Sequence, residues 1–194
     1  MAEHRFTFPT TEEEIRRLHA GDSVVVDGHV IGIRDRTHVR IFDEGIEPPM
    51  DLRGAFLLHT APNVRKREDG GYEKLCIGTT TSARMVRFTE PLGRDYRVRA
   101  ICGKGGLPDE AIDPMRRYGM VYFAIVGGAA ALETTQIEEI EEVAWEELMP
   151  ECLWKFRVRD FGPLTVAIDS HGRSLYHDVE ADAHRRLEEL YARI

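Results

Sequence analysis

The chain has 194 residues, 42% of them apolar and 31% charged, with a formal net charge of −8. That composition excludes wholesale disorder, and a chain of this length buries about 70% of its unfolded surface, enough to fold without a staple. No apolar run approaches the roughly 20 residues of a membrane span, and the acidic balance makes nucleic acid a poor partner.

The N-terminus carries Glu3, His4 and Arg5 with no apolar segment behind them, so it does not read as a signal peptide. Thr10 or Thr11 caps a short helix whose first turn holds Glu12, Glu13 and Glu14. Ile15 and Leu18 give it an apolar face, and Gly21 is expected to stop it. Ser23 to Ile33 is rich in Val and Ile and predicts two short strands around a turn at Gly28. Thr37 to Phe42 predicts a helix ending near Gly45, and Ala55 to His59 a buried strand. The charged segment Arg65 to Lys74 predicts an exposed loop.

The second half alternates more regularly. Helices are expected at Ser82 to Phe88 and Glu110 to Tyr118, and strands at Val98 to Cys102 and Val121 to Val126. Gly127-Gly128 leads into an alanine-rich helix. Six glutamates fall between Glu138 and Glu147, and this stretch reads as helix up to about Ile137 and strand afterwards. Trp154 to Val158 and Leu164 to Ile168 predict two further strands, and Asp178 to Ile194 a terminal amphipathic helix. The sum is one mixed α/β domain over residues 1–194.

Cys76, Cys102 and Cys152 are odd in number and far apart, with no CxxC pair. A disulfide framework or zinc site is not expected, and a reducing cytoplasm fits. His177 and His184 lie seven apart on the terminal helix, which points to the surface and not to metal.

Three segments look chemical, each at the end of an expected strand. Arg34 to Arg40 follows the first. Gly78-Thr79-Thr80-Thr81-Ser82-Ala83-Arg84 places four hydroxyls before a helix start, with Arg84 one turn on. Gly103-Lys104-Gly105-Gly106 exposes backbone around one ammonium. Taken singly, each is as well read as a cap, a salt bridge or a tight turn. Together, Arg34, Arg84 and Lys104 suit a small polyanion such as a dicarboxylate, whose carboxylates an arginine fork also orients.

At these residues the chain resembles the β subunit, or C-terminal domain, of the iron–sulfur class I fumarase and tartrate dehydratase family. The resemblance rests on Gly21-Asp22, Arg34-Asp35 with His38, and Thr80-Thr81-Ser82 with Arg84-Met85. It continues through Gly103-Lys104-Gly105-Gly106, Val126 to Ala130, Met149-Pro150-Glu151 with Trp154, and Leu164 to Ser170. Gly78-Thr79 stands where the family has Gly-Pro, and Leu148 where it has glycine. The resemblance implies a swivelling β/β/α domain with layers of mixed sheet and helices. It implies a hydro-lyase that reversibly hydrates fumarate to malate, with tartrate dehydration as the alternative. It further implies a [4Fe–4S] cluster held by an α subunit, an α2β2 assembly, and no metal ligand in this chain. Position by position, Arg34, Arg84 and Lys104 correspond to the substrate-binding cations and Thr80 to the base that removes a proton from carbon. Asp35, His38 and Thr81 take supporting places, and the run Thr79 to Thr81 leaves the register of the base open by one. A rival from another class is a non-catalytic anion-binding module with the same fold.

Overall fold

The structure is a computed structural model and describes residues 2–128 and 130–192. Its elements are β1 (Glu3–Phe8), α1 (Glu12–Ile15), β2 (Ser23–Ile33), α2 (Asp35–Phe42), β3 (Phe56–His59), β4 (Asn63–Lys66), β5 (Tyr72–Cys76) and α3 (Thr89–Arg94). After these come β6 (Ala100–Gly103), α4 (Ile112–Tyr118), β7 (Val121–Ala124), α5 (Ala130–Gln136), β8 (Ile137–Ala144), β9 (Leu153–Ile168) and α6 (Leu175–Tyr191). The chain is mixed α/β, as its alternation of patterns predicts.

Seven strands form one sheet in the order β1-β2-β3-β6-β7-β9-β8, and β9 also pairs with β2. The sheet therefore closes on itself through β2, β3, β6, β7 and β9. Strands β2, β3, β6 and β7 run parallel, whereas β9 is antiparallel to both of its neighbours in the ring. Alternation along these strands divides the core in two. Val30, Phe56, Leu58, Cys102 and Phe123 join Trp154, Phe156 and Phe161 in one buried cluster. Ile31, Leu57, Ile101 and Tyr122 face the other way and pack under Ile41, Phe88, Leu92 and Met115 from the helical layer. Both faces are buried, which is why these strands read as continuous apolar runs.

Several elements depart from the sequence expectation. Ser23 to Ile33 is one strand and not two. Gly28, at φ +96°, takes up a bulge without breaking the ladder, and a Cβ there would sit 2.3 Å from the carbonyl oxygen of Phe8. Trp154 to Ile168 is likewise a single long strand, bent where Asp160 and Gly162 adopt positive φ. Arg65 to Lys74 is not a loop. It forms the β4–β5 hairpin, anchored by Tyr72 packing edge-on against Trp154 and by the Lys74 ammonium on the carbonyl of Thr134 (2.8 Å). Helix α1 stops at Ile15, well before Gly21; of the two expected caps Thr11 is the one used, and it forms a capping box with Glu14. Ala83–Phe88 is a 3-10 helix. Strand β1 has no apolar run to announce it. It forms as a parallel edge beside β2, tied by the N–H of Ala2 to Asp22 (2.9 Å).

The acidic stretch is helical to Gln136 and strand from Ile137, as expected. Glu138, Glu139 and Glu141 face Arg159, Arg157 and Lys155 across the β8–β9 ladder, while Glu146 and Glu147 beyond β8 pair with Lys66 and Arg40. Helix α6 starts at Leu175, three residues before the expectation. It buries none of its described side chains, and Val179, Leu187 and Leu190 are exposed. Ala129 and Ile194 lie outside the described residues. Among the described residues no helix is long and apolar enough to cross a membrane.

Candidate active site

Strands β2, β3 and β6 are parallel, so their C-terminal ends share one edge of the sheet, the usual ligand edge of such sheets. The chain leaves β2 into Arg34-Asp35, leaves β3 after His59, and leaves β6 into Lys104. The segment Gly78 to Ser82 is laid between the last two ends. Thr80 donates its N–H to the carbonyl of His59 (2.8 Å). Lys104 donates to the carbonyl of Thr80 (3.1 Å), and Ser82 to that of Lys104 (3.1 Å). Only glycine fits at 103, because a Cβ would stand 2.0 Å from Ser82 Oγ. All three segments singled out in the sequence thus converge although up to 70 residues separate them.

The side chains converge as well. Arg84 donates from Nε and Nη2 to the two oxygens of Asp35, both at 2.7 Å, and from Nη1 to the carbonyl of Thr81 at 2.9 Å. The hydroxyl of Thr80 lies 3.4 Å from Arg84 Nη2. Arg34 Nε donates to Asp35 (3.2 Å) and lies 3.5 Å from Glu151, and among the described residues its two terminal nitrogens make no hydrogen bond. The Lys104 ammonium runs past Gly127 and has no hydrogen-bond or ion-pair partner among the described residues. Of the three threonines, Thr79 uses its hydroxyl on the carbonyl of His59 (3.1 Å), and Thr81 is exposed with no bonded hydroxyl. Thr80 is the one whose hydroxyl faces a guanidinium.

Charge at the site is positive by one, with Arg34, Arg84 and Lys104 set against Asp35 and Glu151. Burial works against ionisation of Asp35, but hydrogen bonds from Arg84 and Arg34 outweigh it and hold the carboxyl below its usual range. The Asp35 bridge also raises Arg84. Asp35, expected in a supporting place, bonds its neighbour Arg34 once and Arg84 through both oxygens. His38 is not at the surface of the site. It is fully buried, stacked on Phe88 with ring centroids 4.8 Å apart, and bonded through Nδ1 to the carbonyl of Arg34 (2.8 Å). Burial pushes it down to about 4 and keeps it neutral.

Four residues at this edge were given no role by the sequence. His59, Ser82 and Tyr122 form a buried polar chain, in which Ser82 Oγ is 2.9 Å from His59 Nδ1 and accepts from the Tyr122 hydroxyl at 3.0 Å. No spacing signals such a chain, because its members come from three separate elements. Glu151 accepts the N–H of Arg36 (2.8 Å), and only its place in the Met-Pro-Glu motif hinted at a function. Among the described residues no group of three or more His, Cys, Asp or Glu side chains is placed to hold a metal ion.

Sequence comparison adds to this geometry. The profile of the family described as fumarase C-terminus matches residues 3–179. A Methanocaldococcus jannaschii protein provisionally named L(+)-tartrate dehydratase subunit beta is 36% identical over 185 residues, covering 93% of this chain and 94% of that protein. The Escherichia coli K12 protein named L(+)-tartrate dehydratase subunit beta is 38% identical over 170 residues, covering 87% and 84%. A Geobacillus stearothermophilus protein provisionally named fumarate hydratase class I is 36% identical over 183 residues, 94% of this chain but 35% of that longer protein. The profile runs through every element that frames the site, and the chain belongs to the fumarase C-terminus family of class I fumarate hydratases and tartrate dehydratase β subunits.

Proposed function

We propose that this chain is the β subunit of a two-subunit iron–sulfur hydro-lyase that reversibly hydrates fumarate to malate. In this reading residues 1–194 form one swivelling β/β/α domain that closes over a cytoplasmic α partner. The observation that supports it best is the convergence, at one sheet edge, of an unpartnered ammonium, a half-free guanidinium and a hydroxyl facing a second guanidinium. L-tartrate is the second reading, because the relatives named tartrate dehydratase subunit beta are matched over 84% and 94% of their own length.

The [4Fe–4S] cluster implied by the family finds no ligand set among the described residues, so it is assigned to the α subunit. The residues of this chain bind, orient and move one proton. Arg34 and Lys104 take the substrate carboxylates, and Arg84 is held by Asp35 beside the reacting carbon. In dehydration the carbon–hydrogen bond breaks, its proton passes to the Thr80 oxygen and its electron pair forms the new double bond, while the hydroxyl on the neighbouring carbon leaves and is released as water. A threonine hydroxyl serves as a base only after losing its own proton. Adjacent cations lower the cost of the alkoxide, and an ionised carboxylate of the α subunit takes that proton and passes it on to the leaving hydroxyl.

The test is anaerobic co-expression with an α subunit bearing three spaced cysteines, followed by assay on fumarate, malate and both tartrates. The assembled complex turns over one of these and the chain alone turns over none. Robust turnover by the isolated, iron-free chain overturns the assignment. Turnover of tartrate with none of fumarate selects the second reading.

A further inference from the structure

His38 and His59 are both buried, at 0% and 2% exposure, and in each the Nε2 atom has no hydrogen-bond partner. Their tautomers follow from the groups that bind the other nitrogen. The carbonyl of Arg34 can only accept, so Nδ1 of His38 carries the proton and its Nε2 is a bare acceptor. At His59 the chain begins with the Tyr122 hydroxyl, which donates to Ser82. The single Ser82 proton then goes to Nδ1 of His59, so the His59 proton sits on Nε2 as a donor. One orphan atom is an acceptor and the other a donor. The two rings stand edge to face with centroids 5.5 Å apart.

We propose that these two nitrogens are joined through one buried water, making a continuous relay from Tyr122 through Ser82, His59 and His38 to the backbone of Arg34. Two polar partners are the minimum that holds a buried water, and an unpaired imidazole atom in an apolar wall is costly to leave dry. The relay ties together the two arms of the site. At one end it fixes Ser82, inside the segment that carries Thr80 and Arg84. At the other it fixes the carbonyl at the base of α2, from which Arg34 and Asp35 project. His38 and His59 are then positioning residues. They touch no substrate and set the separation of Arg34 from Arg84. The role assigned to Arg34 rests on the hydro-lyase reading, whereas the tautomers and the relay do not.

Nitrogen-15 NMR of the full chain, labelled in histidine and arginine, tests this. At pH 6 the expected result is two neutral imidazoles of opposite tautomer, His38 protonated on Nδ1 and His59 on Nε2. His59→Phe should shift the Nε signal of Arg34, although no hydrogen bond or ion pair joins the two side chains, and Ser82→Ala should release the His59 tautomer. In the assembled enzyme His59→Phe should raise KM by about ten-fold with a smaller change in kcat. The relay is overturned if either histidine is cationic at pH 6, if His59 holds its proton on Nδ1, or if the Arg34 signal does not move. Wild-type tautomers other than these overturn the relay even where a variant fails to fold. If the tautomers are as stated, the Arg34 signal moves and the assembled wild type is inactive on all four acids, the relay stands and the functional reading falls.

Discussion

The three cations of the site differ in what the protein itself asks of them. Arg84 spends its fork on Asp35 and a backbone carbonyl, whereas the Lys104 ammonium has no partner among the described residues. Lys104→Ala should therefore leave the unfolding midpoint unchanged while lowering kcat/KM of the assembled enzyme. A truncated charged contact costs roughly 2–5 kcal/mol. Chemical denaturation beside steady-state kinetics checks this, and a loss of stability matching the loss of activity would make Lys104 structural. Thr80 is tested against its neighbour. Thr80→Ala should lower kcat by about 10²–10⁴-fold, the usual cost of removing a general base, with KM little changed. Thr81→Ala should be nearly silent. Deuterium exchange at the carbon of malate gives the register directly, because only the true base abolishes it.

Two elements carry buried titratable groups whose effects on stability have opposite signs. On α5, Glu133 is 1% exposed and neither of its oxygens has a hydrogen-bond partner. Burial pushes its carboxyl up to about 7, with the backbone of Thr79 pulling the other way. The folded chain then holds a proton that the unfolded chain releases near pH 4.5. Stability is full below that pH and falls as pH rises through 7, by up to roughly 3 kcal/mol. Glu133→Gln should stabilise the chain at pH 8.5 and leave it nearly unchanged at pH 4, as urea titrations at both values will show. On α2, His38 is depressed to about 4 by burial, so the unfolded chain takes up the proton first. Its contribution is present above pH 6.5 and is lost as pH falls toward 4, again by roughly 3 kcal/mol. His38→Phe, which keeps the stack on Phe88, should flatten that acid limb. An unchanged limb would place its origin in other groups.

At the scale of the whole molecule, the edge that carries the candidate site is open. Arg34, Asp35 and Arg84 each keep between 30% and 42% of their side-chain surface exposed, which suits a site completed by another subunit. Much of this architecture was legible in the sequence. Strand-length apolar runs marked β3, β6 and β7, and a threonine followed by three glutamates marked the start of α1, whereas the spacing after Ile137 suited helix and strand alike until β9 paired with it. Arg34, Thr80, Arg84 and Lys104 were marked by the company they keep, glycines and hydroxyls at strand ends, together with the order of family motifs. These signals are local, and local patterns are what a sequence states directly. The pairing of β9 with both β2 and β7 is not local, nor is the bulge that carries β2 through Gly28, nor the hairpin that Tyr72 pins to Trp154. The same holds for the site. Sequence placed Asp35 beside Arg34, because adjacent residues are always neighbours, but only the fold set its carboxylate in the fork of Arg84, 49 residues away. His59 and Tyr122 look like core positions, and Ser82 like one more hydroxyl at a helix start, until the sheet curls and leaves their polar atoms nowhere to turn but to each other. Burial decides such contacts, and burial is a property of the closed sheet, not of any one segment.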